Sequence, residues 1–130
     1  MEMFEKTEKL YRAVFPPSRN KYLWTKDGSR LSSIAFRNRK NEEYVSVDRQ
    51  SSRSNEECIE DIQSRLQGAI VSVTCKRCWD SSIKIIPHPN KSDPWHCGLI
   101  NDLPGSATTE LSDIQCQNLA DFASIEFKDF

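Results

Sequence analysis

The sequence predicts an α+β domain with a mostly antiparallel sheet, a well-capped central helix and a short C-terminal helix. Three observations carry that expectation. Extended segments rich in β-branched residues recur along the chain, a capping box opens a helix near its middle, and 130 residues suffice for one hydrophobic core but not for two. Residues 1–130 are therefore expected to form a single domain.

Residues 3–15 admit two readings. Met3, Phe4, Leu10, Tyr11, Val14 and Phe15 can line one helical face, whereas Leu10 to Phe15 alone also reads as a strand entered from a short helix. Pro16-Pro17 stops either element, since proline offers no N–H and clashes with a continuing helix. Lys26-Asp27-Gly28-Ser29 signals a turn, so residues 30–36 are expected as a short extended piece or loop feeding the core through Leu31, Ile34 and Phe36. From Glu42 to Asp48 the alternation favours a strand, with Val45 and Val47 on one face and Tyr44, Ser46 and Asp48 on the other.

Ser54-Asn55-Glu56-Glu57 fits a capping box, in which the serine hydroxyl and the glutamate carboxylate each satisfy a free backbone N–H at a helix start. Cys58, Ile59, Ile62 and Leu66 then recur at helical spacing, and Gly68 sits where a helix stops. Strands are expected over Ala69 to Lys76, Ile83 to Ile86 and Trp95 to Ile100. Between the last two, Pro87 to Pro94 is a proline-punctuated loop that delivers His96 to a strand start. Ser112-Asp113-Ile114-Gln115 repeats the capping logic ahead of Leu119, Ala120, Phe122 and Ala123, predicting the final helix.

Composition bounds the function. The apolar stretch around Ala69 to Val73 falls far short of the roughly 20 residues that span a bilayer, and the mixed charges of the first residues lack the apolar run of a secretory signal. Five cysteines, an odd number, do not form the framework of a small secreted domain, so reduced thiols and a cytoplasmic location are expected. Net charge is only −1, yet residues 1–53 carry 12 Lys/Arg against 7 Asp/Glu, and residues 54–130 carry 6 against 12. That asymmetry can guide an anionic partner to the N-terminal half, although a solvated face is the plainer reading. Four scattered glycines form no phosphate-binding loop, and no cofactor is expected.

Three constellations could carry chemistry. Cys75-x-x-Cys78 has zinc-ligand spacing, with His88, His96 and Cys97 downstream, but adjacent strand residues point to opposite faces, so His96 and Cys97 cannot easily share an ion. As a redox pair the same motif would need its first cysteine at a helix start, and residues 76–80 do not read as one. Tyr44, near Arg37, Arg39 and Lys40, is a thin hint of base stacking beside phosphate contacts. The third set joins Arg30, Ser32, Ser33, Ser46, Asp48 and His96 from separate segments that could meet at one sheet edge. There His96 would act as general acid/base, Asp48 would orient it, Ser33 would be a nucleophile, and Arg30, Ser32, Ser46 and Tyr44 would bind ligand. The structural alternative is that His96 packs on Trp95, Asp48 ends a strand and the serines tie off loops.

Arg30-Leu31-Ser32-Ser33-Ile34-Ala35-Phe36, Ser46-Val47-Asp48 and Asp93-Pro94-Trp95-His96 together resemble a group of small, uncharacterised prokaryotic proteins with R-x-S-S-x-A-F, S-V-D and N-P-x-H segments. The likeness covers about residues 10–100 and departs at Asp93, where the group's pattern has Asn. It implies related architecture and a shared polar set without Cys75, Cys78 or Cys97, and it transfers no activity. The expected function is a binding or accessory module of a multi-protein prokaryotic system, with another protein as partner. The rival is a small hydrolase or transferase acting on nucleic acid or nucleotide, with His96 as its acid/base.

Overall fold

In the computed structural model, which describes residues 3–130, the ambiguity at the N-terminus resolves as strand β1, Lys9–Val14. Leu10 and Val14 bury on one face and Tyr11 on the other, a period of two that no helix provides. β1 pairs antiparallel with β3 (Ala69–Thr74) along its whole length, from Lys9 opposite Thr74 to Val14 opposite Ala69. With β2 (Val45–Arg49) it pairs only at Leu10 opposite Arg49 and Tyr11 opposite Asp48. β5 (His96–Asn101) lies on β2, β4 (Ile83–Pro87) closes one edge, and β6 (Ser124–Phe127) lies on β3 at the other. The order β4-β5-β2-β1-β3-β6 is antiparallel throughout, as the α+β reading requires.

The two faces of the sheet are covered unequally. One carries the main core, where Val45, Val47, Val71, Cys97 and Leu99 pack under the helices α2 (Cys75–Asp80) and α3 (Asp113–Phe122). The other is covered over β1 and β3 by α1 (Asn55–Arg65), whose Cys58 and Ile62 meet Tyr11 and Ile70. Burial on both faces explains why β3 reads as an almost continuous apolar run. Both expected capping boxes are present, at Ser54/Glu57 and Ser112/Gln115. Gly68 joins α1 to β3 at φ +113°, where a Cβ would lie 2.3 Å from the Val14 carbonyl oxygen. Only glycine lets the two backbones approach so closely.

Three local expectations are corrected. The strand expected through Lys76 ends at Thr74, whose hydroxyl accepts from the Arg77 N–H and starts α2, so the Cys75-x-x-Cys78 pair does open a helix. The cap outweighs the β-like alternation leading into it. Ser33–Phe36 is a 3₁₀ turn capped by Ser32 rather than an extended piece, and it packs on α3 in the main core. β6 was not expected, because its Ser-Ile-Glu-Phe run is short and only half-buried.

Two arginines hold β2 to its surroundings. Arg49 grips the buried Glu8 carboxylate with two bonds of 2.8 Å, and the Ser51 N–H adds a third at 2.8 Å. Burial opposes ionisation of Glu8, yet these donors outweigh it and hold the carboxyl below its usual range. Beyond Tyr11 the β1/β2 ladder stops, and Arg12 fills the opening. Its Nε donates to the Ala35 carbonyl and an Nη to the Ser46 carbonyl, both at 2.8 Å. Arg12→Met, which keeps the apolar stem but no donor, is expected to destabilise the fold by about 2–4 kcal/mol in urea titrations. Arg12→Lys should restore only part of that, because one ammonium cannot reproduce the guanidinium fork.

Candidate functional site

Where α1 stops, the sheet face carried by β2, β5 and β4 presents half-buried and exposed side chains around the buried Asp48. The β2/β5 register sets Asp48 opposite His96 and Ser46 opposite Gly98, so their side chains share that face. Tyr44 lies directly over Gly98, and a Cβ there would come within 2.7 Å of the ring. The His88 and His96 rings flank Tyr44 at centroid distances of 5.2 and 5.7 Å and lie 6.0 Å from each other. His96 Nδ1 is 3.1 Å from the His88 carbonyl oxygen. A carbonyl only accepts, so Nδ1 carries the proton and Nε2 of the neutral ring is left as acceptor.

Beside this aromatic ridge is a cleft of about 190 Å³ lined by Tyr11, Ser46, Asp48, Arg65, Asp93 and His96. Arg65, in the last turn of α1, reaches three carboxylates: Asp48 at 2.6 Å, Asp61 at 3.1 Å and Asp93 at 3.3 Å. Asp93 is set by its loop, its N–H donating to Asn90 Oδ1 at 2.7 Å and its Oδ1 accepting from the Trp95 N–H at 3.1 Å. Arg53 stacks on the Trp95 ring, 4.4 Å from its centroid, and bonds Asp61 at 3.2 Å, tying the loop to α1. Burial and then the neighbouring Asp93 carboxyl push Asp48 up to about 6, against the pull of Arg65. Asp48 therefore gains or loses a proton close to neutrality.

The structure thus brings together Tyr44, Ser46, Asp48 and His96. It places Arg30, Ser32 and Ser33 elsewhere, in the segment that packs with α3 on the opposite face. Ser32 donates its hydroxyl to the Tyr22 carbonyl and caps the 3₁₀ turn, Ser33 begins that turn half-buried, and Arg30 is exposed. Asp48 and His96 face the same side, but each has another partner, Arg65 for the carboxylate and the His88 carbonyl for the imidazole. Sequence reasoning passed over Arg65 and Asp61, and it considered His88 only as a possible zinc ligand. The four-residue spacing of Asp61 and Arg65 on one helix was the available signal for the first two.

The cysteines form a separate group. Cys75, Cys78, Cys97 and Cys116 are buried in the main core, while Cys58 is buried under α1. Burial, and then Glu8, push Cys75 up to about 12; burial pushes Cys116 up to about 11, and Cys78 also shifts upward. An activated thiolate needs the opposite shift. Among the described residues no group of three or more His, Cys, Asp or Glu is placed to hold a metal ion. None of their helices is long and apolar enough to cross a membrane. In comparisons with protein-family models, curated proteins and solved structures, nothing matches the chain.

The folded chain holds the Asp48 proton more tightly than an unfolded chain does. The stability tied to it is therefore greatest below about pH 4 and is lost as pH rises through about 6. Asp48→Asn should remove that component, so that the difference in urea stability between variant and parent changes by about 2 kcal/mol between pH 4 and 7. The cysteines give a second measurement. In the native chain a thiol reagent at pH 8 should leave Cys75, Cys78 and Cys116 unreacted, and it should titrate all five thiols after denaturation.

Proposed function

We propose that the chain is a non-catalytic binding module that docks another protein on the Tyr44, His88 and His96 face. The observation that carries this reading is that the polar groups beside the ridge already have partners inside the chain. Asp48, Asp61 and Asp93 share Arg65, and His96 Nδ1 faces a carbonyl. A face of three clustered rings with its charges internally paired suits recognition, since aromatic residues dominate interface energetics and no unpaired charge has to be buried. The prokaryotic, multi-protein setting and the cytoplasmic location rest on the sequence reading alone.

One observation favours the rival, a hydrolase or transferase acting on nucleotide or nucleic acid. Asp48, raised to about 6 beside Asp93, has the proton affinity of a general acid/base, and His96 keeps Nε2 as an acceptor on the same face. The two readings separate by experiment. A photo-crosslinking amino acid at position 88 in living cells should give a discrete protein adduct that Tyr44→Ala removes, while the same group at exposed position 26 should not. Failure to form that adduct, together with phosphodiester or phosphomonoester turnover that rises around pH 6 and vanishes in Asp48→Asn, would overturn the docking reading.

A further inference from the structure

The opening between β1 and β2 has a second side. Arg12 and Ala13 line the Asp48 cleft, and they also wall a cavity of about 200 Å³ that faces the N-terminal loops and one of about 260 Å³ that is lined as well by Ser46, Leu66 and Gln67. The first of these is lined by Arg12, Arg37 and Arg39, with Asn20 and the apolar side chains of Leu23 and Ile34, and among the described residues by no carboxylate. Arg37 is paired with Asp113 at 2.8 Å, but Arg12 and Arg39 make no ion pair among the described residues. Glu42, which lines the second cavity, accepts the Arg39 backbone N–H at 2.6 Å. Two guanidinium groups therefore stand near each other with a single carboxylate, that of Glu42, in their neighbourhood.

Arg12 is held in place for reasons of its own. Its Nε and one Nη are occupied by the Ala35 and Ser46 carbonyls, so the fork cannot swing away, and its second Nη has no hydrogen-bond partner among the described residues. Burial, and then repulsion from Arg39, push its pKa down to about 10, so it stays charged at neutral pH. Two like charges only partly offset by the Glu42 carboxylate are costly to hold together, and a dianion offsets that cost better than a monoanion. A space of about 200 Å³ is larger than a lone tetrahedral oxyanion requires. The apolar wall of Leu23 and Ile34 is suited to the remainder of such a ligand.

We propose that this cavity binds a phosphomonoester, its terminal phosphate held between Arg12 and Arg39 and its carbon-bearing portion against Leu23 and Ile34. The proposal is independent of the protein-docking face, because it uses neither the aromatic ridge nor the Asp48 cluster. The phosphate can come from a free sugar phosphate or nucleotide, or from the phosphorylated end of a nucleic-acid strand.

Calorimetric titration of the full chain at fixed ionic strength tests it, with ribose 5-phosphate, AMP and adenosine as probes. The expected result is saturable binding of AMP and ribose 5-phosphate but not adenosine. Arg39→Gln should weaken it at least tenfold, and Lys26→Gln, the same charge change at a distant exposed turn, should leave it unchanged. Arg39 is exposed, so that variant is expected to keep the parent's melting curve; Arg12→Lys, assayed only if folded, should also bind at least tenfold more weakly. A 5′-phosphorylated oligonucleotide that binds more tightly than AMP, and loses binding when its phosphate is removed, assigns the strand end as source; equal or weaker binding assigns the free ester. No saturable binding of either ester, equal binding of adenosine, or parental affinity in Arg39→Gln overturns the proposal.

Discussion

The guanidinium of Arg12 stands where the sheet would otherwise come apart. β1 follows β3 for its full length but leaves β2 after two residue pairs, and the β2 carbonyl at Ser46 then has no strand to accept from. Arg12 supplies that donor and, through Ala35, ties in the 3₁₀ turn that packs on α3. One side chain therefore connects the central strand, its diverging neighbour and the main core. It does so with a permanent charge, which gives the opening a positive lining. The separation of β1 and β2 also makes room for cavities on both sides of the gap, without which the sheet would close over them.

Those two sides differ in electrostatic character. Towards α1 the lining is acidic, with three carboxylates gathered on Arg65, and burial and then the neighbouring Asp93 raise the proton affinity of Asp48. Towards the N-terminal loops the lining is basic and incompletely compensated. The excess of positive charge in residues 1–53 and of negative charge in residues 54–130 is thus expressed locally. Arg12 and Arg39 come from the first half, and Asp61 and Asp93 from the second, although Asp48 and its partner Arg65 cross that division.

Much of this was legible in the residues. The capping boxes at Ser54 and Ser112, the alternation through Tyr44 to Asp48 and the proline loop before His96 are local patterns, and local patterns survive folding. The join of Ser46 and Asp48 to His96 was also reachable, since both segments read as strands with a defined polar face. Arg30 and Ser33 were grouped with them on residue type alone, and the 3₁₀ turn, closed by the Ser32 cap, carries them to the other face of the sheet. Arg65 lay hidden because its role is set by where α1 ends over the sheet, which is a long-range fact. The helical fate of Cys75-x-x-Cys78 turned on a single hydroxyl, that of Thr74, set within a run of strand-forming residues.

The contact between Tyr44 and Gly98 bears on how such a sequence can diverge. With the ring seated on the bare backbone of β5, any side chain at 98 must evict it, and its loss would leave both imidazoles without their common neighbour. The two positions are therefore not free to drift separately. A lineage that keeps an aromatic residue at 44 must keep glycine at 98, and one that fills 98 has abandoned the ridge. Joint retention of that pair in a distant sequence would mark inheritance of the surface itself, even after the surrounding charges had been exchanged.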